Sequence, residues 1–352
     1  MWPTSSSTPS SLGGLPELRI DPLTGLKTIV AGERASRPGG GFSAEPQPPL
    51  DPETDPFLEG HEDRTPPEVY ALRPGGGGPD TPGWQVRVVP NLYPALANGS
   101  QFPVPSSQED VDPLASGRGE PGFFASQPAV GAHEVIVNTP KPVTSLRQLS
   151  PEEVETAFGV WRERMRAHSA SPYVHVIVNE GRDAGASLPH SHSQLYALPF
   201  VPAQIARERE RFTAYALRTH GRNLLGDLIQ EEVRLRERTV AIDDEAVAIC
   251  PYASRVPFEI QIVPRTPRGS FQDDGALGAR MVHDVLGRLE RVLGAVPPLN
   301  LWLRTAPSGA EYFCWRIDLQ PRLTKLAGLE MGTGVNLNIM PPEKAAEQLR
   351  DA

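Results

Sequence analysis

Two histidines stand two residues apart in the segment Pro189-His190-Ser191-His192-Ser193-Gln194. On an extended strand, alternate side chains point to the same face, so His190, His192 and Gln194 form a row. A neutral imidazole can attack phosphorus, while turn amides and a hydroxyl such as that of Ser187 can hold the non-bridging oxygens of a phosphate. The row therefore predicts covalent phosphate chemistry. The alternative from these residues alone is a pair of polar side chains on a solvated strand edge.

The elements that must position this row predict an α+β fold. Ser150-Pro151-Glu152-Glu153 begins a helix that should end near His168, because it combines an N-cap, a proline in the first turn and a capping-box glutamate. Strands are predicted at 133–137, 173–179, 194–200, 247–250, 258–263, 299–304 and 313–319, and further helices at 203–219, 223–238 and 274–296. Strand, helix, strand, strand occurs twice, which predicts two copies of one unit in a mainly antiparallel sheet with flanking helices.

Composition sets the predicted domain boundaries. We expect a disordered tail at 1–16, an N-terminal unit at 17–200 that carries the catalytic motif, a helical connection at 201–240 and a C-terminal unit at 241–352. Prolines are dense before residue 130, so the first third should be rich in loops.

The charge of the chain argues against several classes of partner. A formal net charge of −9 disfavours nucleic acid and acidic membranes, because a phosphate backbone requires a basic surface. No apolar run is long enough to cross a bilayer, and the first residues do not resemble a secretory signal. Only Cys250 and Cys314 are present, too few for a disulfide framework or a thiolate zinc site. These features predict a cytoplasmic protein.

The segment 179–194 resembles the Asn-x-Gly…Gly-x-Ser-x-Pro-His-x-His-x-Gln signature of the galactose-1-phosphate uridylyltransferase family, a branch of the histidine-triad superfamily. Other resembling stretches follow in the order of that family: Arg34-Ala35-Ser36-Arg37-Pro38, 65–68, 89–96, 133–137, 257–259, 332–338 and 342–343. Together they extend from about residue 19 to 350. The resemblance implies that both halves of the fold are histidine-triad-like units.

The resemblance also implies roles for individual residues. His192 would be the nucleophile that takes up a nucleoside monophosphate, and Gln194 would hydrogen-bond the bound phosphoryl group. The implied substrate-binding residues are Asn179, Gly185 and Ser187 at the phosphate, Asn91 and Tyr93 at the nucleoside, Arg34 and Arg37 at sugar-phosphate groups, and Lys325 and Glu330 at the hexose.

The chain departs from the family at the metal ligands. Where many members have Cys-Pro-x-Cys, this chain has Asp55-Pro56-Phe57-Leu58, a later histidine position falls at Lys141 or Pro142, and Cys314-Trp315-Arg316 replaces a second His-x-His. One imidazole with one aspartate does not make a zinc site, so we predict no metal or other cofactor. A substitute metal site built from Asp55, His61, His133 and His190 is the alternative.

By this resemblance the protein is a nucleotidyltransferase that moves UMP between UDP-hexose and hexose 1-phosphate through a nucleotidyl-histidine intermediate. One alternative is a phosphorylase or hydrolase of ADP-sugars or dinucleoside polyphosphates, and another is a non-catalytic nucleotide-binding relative. The implied partners are a nucleotide sugar, a sugar phosphate and a second copy of the chain in a homodimer.

Overall fold

The computed structural model describes residues 15–36, 41–97 and 128–352, which contain thirteen β-strands and six α-helices. The strands are β1 Glu17–Ile20, β2 Lys27–Val30, β3 Tyr70–Leu72, β4 Val86–Pro90, β5 Ala132–Val137, β6 Tyr173–Glu180, β7 His192–Leu198, β8 Thr239–Ile242, β9 Ala246–Ile249, β10 Ile260–Pro264, β11 Leu299–Arg304, β12 Arg316–Pro321 and β13 Asn336–Asn338. The helices are α1 Pro151–Ala167, α2 Ala203–Arg218, α3 Leu224–Leu235, α4 Ala279–Leu293, α5 Gly328–Thr333 and α6 Pro342–Asp351.

Ten strands form one antiparallel sheet in the order β3-β4-β5-β7-β6-β11-β12-β10-β9-β8. The predicted α+β class is therefore confirmed. Strands from residues 70–198 fill one half of the sheet and strands from residues 239–321 fill the other, joined where β6 pairs with β11. A small second sheet has the order β1-β2-β13. No helix among the described residues is long and apolar enough to cross a bilayer.

The position of β7 excludes the strand-edge interpretation of the histidines. β7 lies between β5 and β6 and pairs with both, so it is an inner strand. Across the β5–β7 ladder Val137 is paired with His192 and Val135 with Gln194. Because directly paired residues share a face, His192 and Gln194 lie on the face that carries these two valines.

The opposite face of the sheet holds the main core. Helices α1, α4 and α6 pack there through buried side chains that include Phe158, Trp161, Val282, Leu286 and Leu349. The face of the sheet that carries His192 is covered by other elements. A cluster around Phe57 and Trp84 packs near β4 and β5, and α2 and α3 pack at the far end of the sheet. Between these two covers the side chains of Gln194, Asn179, Ile177, Asn300 and Trp302 are half-buried.

Several predicted boundaries shift in the structure, and three of the shifts have a clear local cause. β7 begins at His192 rather than at Gln194, because His192 already pairs with β5 and Ser193 pairs with both β5 and β6. The helix predicted from 274 begins at Ala279, directly after Gly278, whose φ of 93° is left-handed. The strand predicted from 313 begins at Arg316, because the amide of Trp315 donates to the Arg268 carbonyl in a neighbouring loop instead of joining the sheet.

Asn138, the residue after β5, ties β7 to α1. Its Oδ1 accepts hydrogen bonds from the Trp161 indole at 3.1 Å and from the Ser193 hydroxyl at 2.9 Å. Its amide nitrogen Nδ2 donates to the hydroxyl of Ser191 at 3.3 Å. All four side chains are buried, so Asn138 is the shared partner of three polar groups that have no access to water.

We expect Asn138→Ala to destabilise the fold by about 3 kcal/mol, because it leaves buried donors without an acceptor and each costs about 1–3 kcal/mol. The measurement is the free energy of unfolding in urea. Ser193→Ala is the matched control. It should lose only about 1 kcal/mol, since the Trp161 donor keeps its partner. Equal losses in the two variants would contradict the shared role of Asn138.

Candidate active site

His192 is the first residue of β7, and within the described part of the chain one hydrogen bond orients its ring. Its Nδ1–H donates to the backbone carbonyl of His190 at 2.7 Å. A carbonyl can only accept, so Nδ1 carries the proton and Nε2 of the neutral ring keeps its lone pair. Burial lowers the pKa of His192 below its usual 6.5, and the bond to the His190 carbonyl opposes that shift. The ring is 5% exposed and lies 5.3 Å from the Phe57 ring, centroid to centroid.

His190 precedes β7 and forms a buried pair with Asp55. Its Nδ1 donates to Oδ2 of Asp55 at 2.6 Å, and its Nε2 donates to the carbonyl of Thr139 at 2.9 Å. Both ring nitrogens face acceptors, so the ring carries two protons and pairs as a cation with the carboxylate. Burial acts to raise the pKa of Asp55, but the bond and charge of His190 help to hold that pKa below 3.8. This pair fixes the segment whose carbonyl orients His192.

The residues of the alternative metal site do not converge. The Nδ1 of His61 bonds the backbone oxygen of Asp55, whereas His133 bonds Gln194. Both nitrogens of His190 are already engaged, and no group of three or more metal-ligating side chains occurs among the described residues. The donor set here does not fit a metal.

The other stretch that departs from the family's metal ligands is filled by a guanidinium. Arg316 is 2% exposed and binds the carboxylate of Glu208 at 2.9 and 3.2 Å and that of Asp318 at 2.8 Å. The thiol of Cys314 donates to the carbonyl of Trp315, and burial raises the pKa of this thiol to about 11. The guanidinium of Arg316 therefore occupies this cluster of carboxylates.

Gln194 lies two residues beyond His192 on the same face. Its Oε1 is 3.0 Å from Nε2 of His133 and 2.8 Å from the hydroxyl of Tyr196. The rings of His133 and Tyr196 stack with centroids 4.1 Å apart. Burial lowers the pKa of His133 and raises that of Tyr196, so both are neutral at neutral pH.

Three more predicted residues lie at the end of β6 and in the segment that leads to β7. Val178 pairs with Ser193, so the next residue, Asn179, comes opposite His192 on the same face. Oδ1 of Asn179 accepts from Nδ2 of Asn300 at 2.8 Å. Gly185 has a φ of 86°, a left-handed conformation that favours glycine, and Ser187 is exposed beyond it.

The predicted nucleoside residues lie beside His133, which is the hydrogen-bond partner of Gln194. Nδ2 of Asn91 is 3.2 Å from Nε2 of His133, and Oδ1 of Asn91 accepts from the amide of Tyr93 at 2.9 Å. The side chain of Tyr93 is 84% exposed. Asn91 is thus close to the row of polar side chains, and Tyr93 offers a free aromatic ring beside it.

The remaining predicted residues are not brought to His192. Arg34 lies in a short 3-10 helix after β2 and is exposed, and Lys325 is exposed between β12 and α5. The carboxylate of Glu330 caps its own helix by accepting from the Ala327 amide at 2.9 Å. Among the described residues no hydrogen bond or ion pair links these three to His192 or Gln194. Arg37 lies outside the described residues.

Sequence reasoning missed Tyr196 and considered His133 only as a member of the alternative metal site. The signal for Tyr196 was its position in the alternation His192, Gln194, Tyr196 along one face of β7. The signal for His133 was weaker, since its pairing with Tyr196 depends on the register between β5 and β7.

Comparison with known proteins finds relatives over nearly the whole chain. Residues 9–202 match the family described as galactose-1-phosphate uridyl transferase, N-terminal domain, and residues 145–352 match a domain of unknown function. The chain is 29% identical over 354 residues to the ADP-glucose phosphorylase of Arabidopsis thaliana, a match that covers 96% of this chain and 93% of the relative. It is 28% identical over 354 residues to the galactose-1-phosphate uridylyltransferase of Haemophilus influenzae, covering 95% and 94%.

The fold comparison agrees with the sequence comparison. The crystal structure of the Arabidopsis thaliana ADP-glucose phosphorylase with bound ADP-glucose is similar to this chain with a TM-score of 0.76 and 26% identity. The match covers 96% of this chain and 99% of that one.

We expect Asp55→Ala to lower the free energy of unfolding by about 3–5 kcal/mol, because it leaves the buried cation of His190 without its partner. Asp55→Asn keeps one acceptor oxygen and should lose less. Asp51→Ala, in the exposed part of the same loop, is the control and should change stability by about 0.5 kcal/mol. Urea unfolding compares the three variants. If Asp55→Ala is no worse than Asp51→Ala, the pair does not stabilise this segment.

Proposed function

The chain belongs to the galactose-1-phosphate uridylyltransferase family, and on this premise we propose that it transfers a nucleoside monophosphate group between phosphates through a covalent bond to His192. The observation that carries the proposal is the hydrogen bond from Nδ1 of His192 to the His190 carbonyl, which leaves Nε2 as the nucleophilic nitrogen. The family comparisons support an enzyme that acts on nucleotide sugars and sugar phosphates.

In the first half-reaction, the lone pair on Nε2 of His192 attacks the α-phosphorus of a nucleotide sugar. A P–N bond forms, the bond from that phosphorus to the bridging oxygen breaks, and the sugar 1-phosphate leaves with the electron pair. The imidazole becomes cationic while Nδ1 keeps its proton. The carbonyl of His190 at 2.7 Å stabilises that charge and holds the ring in place.

In the second half-reaction, an oxygen of a phosphate-bearing acceptor attacks the same phosphorus. The P–N bond breaks and its electron pair returns to Nε2. Because the leaving group of each step is already a weakly basic phosphate or a cationic imidazole, neither step needs a strong general acid. Positioning and charge stabilisation therefore carry most of the rate.

The neighbouring residues have supporting roles in this proposal. Gln194 donates from its amide to the transferred phosphoryl group, and Asn179, Gly185 and Ser187 line the phosphate cradle. Asn91 and Tyr93 contact the nucleoside. The nucleophile works without a metal, because the pair of Asp55 and His190 holds its segment instead.

Arg34, Arg37, Lys325 and Glu330 contact the sugar phosphate in a homodimer, where they act on the site of the second copy. Support comes from the small sheet that Arg34 follows in the chain, whose β1 exposes Leu18 and Ile20 at 60% and 52%. Exposed apolar side chains of this kind are typical of a surface that another protein molecule covers.

The first candidate reaction moves UMP between UDP-hexose and hexose 1-phosphate, the activity named by most of the curated relatives. A specific observation favours a second candidate, transfer of AMP from ADP-glucose to inorganic phosphate. Both the sequence and the fold match the Arabidopsis ADP-glucose phosphorylase, at 29% identity and a TM-score of 0.76. The two candidates share the first half-reaction and differ in nucleotide and acceptor.

Incubation with UDP-glucose or ADP-glucose labelled at the α-phosphorus should place acid-labile, alkali-stable label on the protein. His192→Ala should abolish this label, because it removes the attacking nitrogen, whereas His220→Asn at the exposed end of α2 should retain it. Prior treatment with a chelator should leave labelling unchanged. Absence of label from the wild type with both nucleotides would instead favour a non-catalytic nucleotide-binding protein.

The rate of this first half-reaction should fall on acidification with a midpoint below pH 6.5, in proportion to the neutral fraction of His192. The reason is that burial holds the pKa of this ring below 6.5, so the neutral nucleophile still predominates at pH 6.5. Rapid-quench measurement of labelling from pH 5 to 8 is the test. A midpoint above pH 6.5 would show that the nucleophile has a higher pKa than its burial implies.

A further inference from the structure

The amide of Gln194 is held by two hydrogen-bond donors on the same side. Its Oε1 is 2.8 Å from the hydroxyl of Tyr196 and 3.0 Å from Nε2 of His133. No hydrogen bond among the described residues uses its Nε2. The oxygen end of the amide is thus committed to the protein, and the NH₂ end is left for a ligand.

The hydrogen bonds of His133 fix which of its nitrogens carries the proton. The backbone N–H of Ala95 donates to Nδ1 at 3.1 Å, so Nδ1 is an acceptor and unprotonated. A neutral imidazole then carries its proton on Nε2. The acceptor that faces Nε2 is Oε1 of Gln194, which excludes the flipped amide with NH₂ at this position.

The nearby side chain of Asn91 offers no acceptor for the proton on Nε2 of His133. Its Oδ1 is fixed by the amide of Tyr93 at 2.9 Å, so the atom that lies 3.2 Å from Nε2 of His133 is Nδ2, a donor. The proton on Nε2 of His133 therefore has one acceptor within reach, the oxygen of Gln194. The two hydrogen bonds therefore have one direction of donation: the Ala95 amide donates to His133, and His133 donates to Gln194.

We propose that His133 and Tyr196 are positioning residues that hold the Gln194 amide with its NH₂ toward the transferred phosphoryl group. This inference rests on the proposed function. An amide donates through nitrogen and repels phosphate oxygens through oxygen, so a freely rotating Gln194 spends part of its time in an orientation that opposes binding of the transition state.

The strand register makes the two donors one rigid unit. His133 of β5 pairs with Tyr196 of β7, and the stacked rings are inclined by only 23°. His133 is 8% exposed, so its donor does not exchange freely with water. The hydroxyl and the ring N–H converge on the same oxygen because the two rings lie against each other.

A double-mutant cycle on the first half-reaction tests whether Tyr196 acts through Gln194. Tyr196→Phe keeps the ring stack and should slow nucleotidyl-enzyme formation about fivefold, the worth of one neutral hydrogen bond. Gln194→Ala should slow it about a hundredfold. In the Gln194→Ala background, Tyr196→Phe should have no further effect. The same fivefold loss in both backgrounds would overturn the proposal. Tyr215→Phe, which loses a hydroxyl bond to Asp227 on another element, is the matched control and should leave the rate unchanged.

Variants at His133 separate its donor from its bulk. His133→Gln can present an amide N–H near the position of Nε2 and should retain more of the rate than His133→Leu, which fills space without a donor. Unfolding in urea gives the stability of each variant. If the rate follows stability and the glutamine variant is no better than the leucine variant, His133 has only a structural role.

The tautomer of His133 gives a readout that does not need activity. A long-range ¹H–¹⁵N correlation spectrum of the free protein should show Nδ1 of His133 unprotonated and Nε2 protonated. The reversed tautomer would overturn the orientation of Gln194 even in an active enzyme. Conversely, the expected tautomer in a protein that forms no nucleotidyl-enzyme would contradict the proposed function while the orientation of the amide stands.

Discussion

The hydrogen bond between Nδ1 of His192 and the carbonyl of His190 is the interaction on which the site depends. It sets the tautomer of His192 and the direction of the lone pair on its Nε2 with one backbone atom. In the proposed reaction, that carbonyl must stay in place while charge develops on the ring. Three groups hold it there. Asp55 binds the side chain of His190, Thr139 accepts from the same ring, and Asn138 binds the serine between the two histidines.

At positions where many members of the family have metal ligands, this chain has paired protein charges. The cation of His190 and the carboxylate of Asp55 are buried at 0% and 2% side-chain exposure, which is costly unless they remain paired. Because separating the two buried groups is costly, their relative position is more tightly restricted than that of an ion pair on the surface. In the other half of the sheet, Arg316 binds two carboxylates in the same way. Each pair serves local order.

Much of the fold could be predicted from sequence because β-branched runs and a capped helix carry local signals. α1 begins after Ser150 as predicted, since its capping box is contained within four residues. The start of β12 could not be predicted, because it depends on a hydrogen bond from Trp315 to the distant Arg268 carbonyl. The site shows the same division. Alternation placed His192 and Gln194 on one face, but only the strand register reveals that His133 contacts Gln194 rather than Asp55.

The central claim is that a nitrogen of His192 bonds to phosphorus during turnover. Its most direct test is mass spectrometry of the protein mixed with a nucleotide sugar in the absence of an acceptor. We expect the peptide that contains His192 to gain the mass of one nucleoside monophosphate, with fragmentation placing it on that residue. A nucleotide adduct on any other residue, or release of sugar 1-phosphate with no adduct at any time, would contradict the account.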